Sequence, residues 1–136
     1  MDCVFCAIVR GEAEASLAYE DDRVVAFMDI APATTGHLLV VPRRHAAHLA
    51  DLDPEDGAQM FRVGQRLAAA VRASSIPADG VNLLLADGTV AMQEVMHTHL
   101  HVLPRTEGDG FALSAALHEP DRSSLDAQAA ELAAAL

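Results

Sequence analysis

The chain contains no lysine. Its nine basic residues are all arginine and face 20 acidic ones, which leaves a formal charge of −11 over 136 residues. So acidic a surface repels polyanions, because affinity for nucleic acid comes largely from basic groups displacing counterions. DNA and RNA polymers are therefore excluded as expected partners. A single nucleotide is not, since a pocket can hold one phosphate with a few local donors. No apolar run approaches the roughly 20 residues that cross a bilayer, and the opening M-D-C-V-F-C-A-I-V-R lacks the basic start of a secretory signal. A soluble, cytoplasmic protein with no membrane partner is expected. Two cysteines, Cys3 and Cys6, are too few for a disulfide framework.

Hydrophobic residues make up 51% of the chain, enough for a sizeable core in one domain over 1–136. Cys3 to Arg10 predicts a short helix stopped at Gly11, and Leu17 to Glu20 and Val24 to Ile30 predict a hairpin around Asp21-Asp22. His37 to Val41 reads as a third strand ended by Pro42. Asp53-Pro54-Glu55-Asp56 is a helix start, and Met60, Val63, Gly64, Leu67 and Val71 carry that helix to about Ala73 at helical spacing, with Gly64 allowing close packing. Asn82 to Leu85 predicts a fourth strand. An alanine-rich helix over 124–136, bearing Leu125, Leu132 and Leu136, is expected to pack on the body. The class is α+β, with strands that can pair antiparallel.

The chemistry concentrates in M96-H-T-H-L-H-V-L-P-R105, where His97, His99 and His101 stand at every second position. In a strand, side chains two apart leave the same face, roughly 6.5–7 Å from one to the next. One face would carry the imidazoles, and the other Leu100 and Val102, with Thr98, against the core. A single histidine is most simply a satisfied core residue. Three in register repel one another when protonated, a cost with little structural use. Three could hold a metal, although a flat strand aims more than two ligands poorly at one ion. The alternative favoured here is attack on phosphorus by the middle residue, His99, with its neighbours stabilising charge and handling protons.

The segment Q93-E-V-M-H-T-H-L-H-V-L-P-R105 resembles the H-x-H-x-H signature of the histidine triad (HIT) superfamily of nucleotide hydrolases and transferases. C3-V-F-C-A-I-V-R-G-E12, Y19-E-D-D-R-V-V-A-F-M-D-I30, T35-G-H-L-L-V-V-P-R-R-H45 and D51-L-D-P-E55 are similar, in the same order, to segments of its bacterial Hint-like branch. The similar core covers about 3–110 and ends near Phe111. The resemblance implies a HIT-like fold, an antiparallel sheet of about five strands with one main helix and short terminal helices. It also implies a homodimer whose sheets join across the interface.

By the same resemblance, His99 attacks the α-phosphorus of a nucleoside phosphoramidate or related purine nucleotide and forms a nucleotidyl-histidine that water hydrolyses. His101 binds a phosphoryl oxygen, His97 orients the strand end and serves a proton relay or a metal, and the Gln93 amide helps hold the phosphate or leaving group. Asp29 accepts from the ribose hydroxyls, while Val4, Phe5, Ile8, Phe27 and Ile30 wall the base. Residue by residue those five are plain core positions, but a carboxylate breaking the run V-V-A-F-M-D-I needs partners that a ribose could supply. Two thiolates and two histidines suit a closed tetrahedral zinc site. Zinc-containing relatives imply Cys3, Cys6, His45 and His97 as ligands of a structural zinc, with His48 the spare.

Three residues depart from the pattern or strain it. Ala86 stands where an amide commonly touches the phosphate, Met92 where glycine is common, and Glu94 adds negative charge beside the site. Loss of one phosphate donor costs about 2–4 kcal/mol of transition-state stabilisation if nothing replaces it. Besides the phosphoramidase reading, V102-L-P-R105 also resembles the Fhit branch of dinucleoside polyphosphate hydrolases. A binding module with vestigial turnover and a zinc-stabilised scaffold are the remaining readings.

Overall fold

In the computed structural model, which describes residues 2–136, the chain forms a five-stranded sheet in the order β1-β2-β3-β5-β4, with every neighbouring pair antiparallel. The elements are α1 (Val4–Val9), β1 (Leu17–Glu20), β2 (Val24–Met28), β3 (Leu38–Pro42), α2 (Pro54–Ala73), β4 (Gly80–Leu85), β5 (Leu100–Arg105) and α3 (Arg122–Ala135). The expected α+β class and strand count are observed.

Alternation along the strands sorts two cores. Val24, Ala26, Leu38, Val40, Leu100 and Val102 face α2, where Met60, Val63 and Val71 meet them. Helix α2 starts as its sequence predicts, with Asp53 Oδ1 accepting from Glu55 N–H at 2.8 Å and Pro54 at the first position. Gly64 lets it approach the sheet closely: a Cβ there would sit 2.8 Å from Leu100 Cδ2. The opposite sheet face carries Val25, Phe27, Leu39 and Val41 under Phe5 of α1. His101 pairs with Leu39 in register and therefore projects toward α1. The candidate site lies on this second face.

The hairpin turn is held by Asp21, whose Oδ1 accepts the N–H groups of Arg23 (2.7 Å) and Val24 (2.8 Å). Burial opposes ionisation of this carboxyl. The hydrogen bonds it accepts, from Val24, Gln59, Arg23 and Tyr19, outweigh that and draw it down to about 2.

Several predicted boundaries move. β2 ends at Met28, short of Ile30, and β3 begins at Leu38, so Asp29 and His37 flank the connecting loop. β5 begins at Leu100, which leaves His97 and His99 on the bent segment before the strand. The terminal helix runs over Arg122–Ala135, and no residue of it is buried; Leu132 is 69% exposed. The expectation that it packs on the body is overturned, because its alanines offer little apolar area, Leu132 and Leu136 stay exposed and Leu125 is only half-buried. Among the described residues, no helix is long and apolar enough to cross a membrane.

Candidate functional site

Phe5 organises the histidines. Its ring meets His97, His99 and Phe27 edge-on, with centroids 5.9, 5.2 and 5.3 Å away. The three imidazoles do leave toward one side, yet the surroundings make each different.

His97 is fully buried, and its Nε2–H donates to the Pro42 carbonyl at 2.8 Å. That bond leaves the Nδ1 lone pair aimed at the sulfurs of Cys3 and Cys6, each 3.5 Å away. His45 Nδ1 lies 3.3 Å from Cys6 Sγ, and all four ligand atoms fall within 4.8 Å of one another. Zinc–sulfur bonds of about 2.3 Å and zinc–nitrogen bonds of about 2.0–2.1 Å give tetrahedral N···S edges of about 3.6 Å. The observed separations match that figure closely. A carbonyl behind the histidine is also what fixes the tautomer of a ligating imidazole. His48, the spare candidate, lies instead 3.5 Å from Asp87.

His99 is buried, and its Nδ1 is 2.7 Å from the backbone carbonyl of His97. A carbonyl only accepts, so Nδ1 carries a proton, and in the neutral ring the lone pair falls on Nε2. The ring of His101 is 4.8 Å away. Behind it stands His37, whose Nε2 is 2.9 Å from His101 Nδ1 while its own Nδ1 accepts the Ala33 N–H at 3.1 Å. The tautomers follow in sequence: His37 donates from Nε2, His101 accepts at Nδ1, and His101 Nε2–H is left as a donor. Burial lowers the affinity of both rings for a second proton and holds His101 at about 4. Asp29, His37 and His101 also lie close enough to suggest a metal. They do not fit one, since the inner ring nitrogens are already spent on each other and on Ala33.

A cavity of about 560 Å³ opens over these rings, and Val4, Phe5, Ile8, Phe27, Asp29 and Ile30 all line it. Phe5 and Phe27 are buried, whereas Ile30, 96% exposed, stands at the rim, because the chain has left the strand by then. Ala86, Met92 and Glu94 line it as well. Met92 has φ 74°, in the left-handed region that favours glycine.

Gln93 does not line the cavity. It is 2% exposed; its amide N–H groups donate to Ala47 O (2.7 Å) and Val95 O (3.0 Å), and its oxygen accepts from Gly88 N–H (2.8 Å). The expected phosphate contact is corrected: every polar atom of this side chain is committed to shaping the loop.

The chain's resemblance to other proteins is extensive. The family profile described as HIT domain matches residues 10–108. The chain belongs to the HIT family. A zinc-bound histidine triad family protein from Mycobacterium smegmatis is 46% identical, with 100% of this chain and 99% of that one covered and a TM-score of 0.79. A HIT family protein from Bacillus anthracis superposes with a TM-score of 0.92 at 38% identity, covering 99% and 97% of the two chains. A plant relative, named adenylylsulfatase HINT3 in Arabidopsis thaliana, is 35% identical over 96% of this chain and 66% of its own length. This chain thus has the HIT fold in full, with a Cys2His2 cluster able to take a metal.

Two HIT-site features escape a reading of the sequence. His37 sits alone in G-H-L-L-V-V-P and reads as a core histidine. The β2–β3 register, which bonds Asp29 N–H to His37 O at 3.0 Å, is the signal that joins it to Asp29. The second feature is the segment 111–113, which lines the cavity beyond the family-matched residues. Arg105 anchors it, stacking 4.7 Å from the Phe111 ring and donating to Phe111 O at 2.8 Å.

Proposed function

We propose that this protein is a nucleotide hydrolase that cleaves a nucleoside phosphoramidate, or a related purine nucleotide, at the α-phosphorus through a nucleotidyl-histidine intermediate. The observation that carries this reading is the 2.7 Å contact from His99 Nδ1 to the His97 carbonyl, which in the neutral imidazole puts the lone pair on Nε2, the attacking atom. Nε2 attacks phosphorus as the bond to the leaving nitrogen breaks, and that nitrogen departs as an amine after taking a proton. Water then attacks phosphorus, gives up a proton and releases His99. His101 Nε2–H donates to a phosphoryl oxygen as charge builds there. His37 is a positioning residue, since its hydrogen bond holds His101 in the donating tautomer. Asp29 receives the ribose hydroxyls, and the walls around Phe5 and Phe27 take the base.

In the same proposal Cys3, Cys6, His45 and His97 hold a structural zinc. Two thiolates balance its charge, and the ion ties the N-terminal helix to the residue whose carbonyl orients His99. A homodimer is also proposed. β4 closes one edge of the sheet with G-V-N-L-L-L, an uncharged, proline-free strand that suits pairing with a second copy.

The test uses adenosine phosphoramidate. Wild-type protein should release AMP, and a short incubation quenched in base should leave a nucleotidyl adduct on His99, detected by mass spectrometry of the peptide. His99→Ala should abolish both. Tight nucleotide binding with no turnover dependent on His99 would establish the binding-module reading instead, which Ala86 favours by removing a phosphate donor.

A further inference from the structure

Three carboxylates line the cavity, those of Glu14, Asp29 and Glu94, and no arginine does. The lining groups able to carry positive charge are His37, His99 and His101. Burial keeps His37 and His101 neutral near pH 7. A substrate therefore meets no fixed cation beyond the reacting phosphate. In a partly dry cleft, uncompensated charge of one sign acts over several ångströms, and the chain's −11 adds to the same field.

The three acids differ in what they can do. Asp29 is engaged, accepting the Ala31 N–H at 2.9 Å and lying 3.6 Å from His37 Nδ1. Glu14 follows α1, whose Val4 and Ile8 line the cavity beside it. Glu94 belongs to the loop that precedes the triad, is exposed, and has no hydrogen-bond or ion-pair partner among the described residues. Its chain neighbours Met92 and Val95 line the same cavity with apolar side chains, as does Leu113. Met92 is the one non-glycine residue with positive φ among the described residues, and its side chain stays 63% exposed at the cavity. Backbone strain kept at a site's edge points to a role there.

We propose that the 86–95 loop forms a leaving-group subsite that selects an amine bearing positive charge on an aliphatic stem, with Glu94 as its selectivity residue, and that disfavours anionic leaving groups. The proposal rests on the hydrolase reading above and deepens it. The aliphatic stem lies against Met92, Val95 and Leu113, and the distal ammonium meets Glu94. A sulfate or polyphosphate leaving group would bring added negative charge against that carboxylate.

The test compares adenosine 5′-phosphoramidates of 1,4-diaminobutane and butylamine, which differ in one distal charge, with adenylylsulfate as the anionic case. Wild-type kcat/KM should favour diaminobutane over butylamine by about fivefold, the scale of a partly exposed ion pair. Adenylylsulfate should be last. Glu94→Gln should bring the diaminobutane-to-butylamine ratio to about one, while Glu107→Gln, which removes the same charge from an exposed loop, should keep the wild-type ratio. The same pair is titrated calorimetrically into wild type and Glu94→Gln, each carrying His99→Ala. There the charge preference should appear in Kd and vanish without Glu94. No turnover with that Kd preference intact would sink the hydrolase reading and support the subsite. Equal kcat/KM and equal Kd for the two amines, a preference that survives Glu94→Gln, or adenylylsulfate ranked first would overturn the subsite.

Discussion

Replacing Gln93 with alanine separates two roles for one amide. The side chain is buried and makes three hydrogen bonds, to Ala47 O, Val95 O and Gly88 N–H, which join the 86–95 loop to the segment carrying His45. Each bond is worth about 1 kcal/mol net, and the groups left behind are backbone atoms with poor access to water. The loss is about 3 kcal/mol before the cavity is counted. At about 2.1 cal/mol/K per residue of unfolding entropy, 136 residues convert this to a fall in Tm of about 10 °C. Gln93→Glu should be no better, since a carboxylate keeps the acceptor for Gly88 and turns an oxygen on two carbonyls. Calorimetric melting of the wild type and both variants measures the effect. A fall in Tm under about 3 °C accompanied by a large fall in kcat would refute the reasoning and return Gln93 to the phosphate.

Met92→Gly should raise stability by about 0.5–1 kcal/mol, as relief of the left-handed φ of 74° exceeds the added freedom of the unfolded chain; urea melts decide the sign. Stability should fall as pH drops from the ordinary histidine value of 6.5 toward 4, because the unfolded His101 takes a proton in that window while the buried ring does not. His101→Gln should flatten that slope in Tm against pH. Chelation should lower both Tm and kcat, with zinc restoring them, and metal analysis should find about one zinc per chain in the wild type and none in Cys3→Ser. Equal metal contents in the two proteins would dismiss the proposed zinc.

Much of this architecture was legible in short-range periodicity. Alternation in H-T-H-L-H-V sends Leu100 and Val102 to the α2 core and His101 to the opposite face, whatever surrounds the strand. Spacing of three places Cys3 and Cys6 on one helical turn, where the Cys6 N–H meets Cys3 Sγ at 3.4 Å. Asp53-Pro54 starts α2, and Gly64 allows its approach to Leu100. These are local matters of backbone geometry, and a sequence carries them in plain form. Contacts between distant segments depend on strand register and on which side chains the core buries. Tertiary structure alone put His37 on His101 across 64 residues, and it brought His97 beside Cys3 across 94, the pairing that the resemblance implied. It also turned the Gln93 amide inward and left α3 uncovered. The proton on His99 was decided there too, since only the folded segment brings the His97 carbonyl against Nδ1 and leaves Nε2 free.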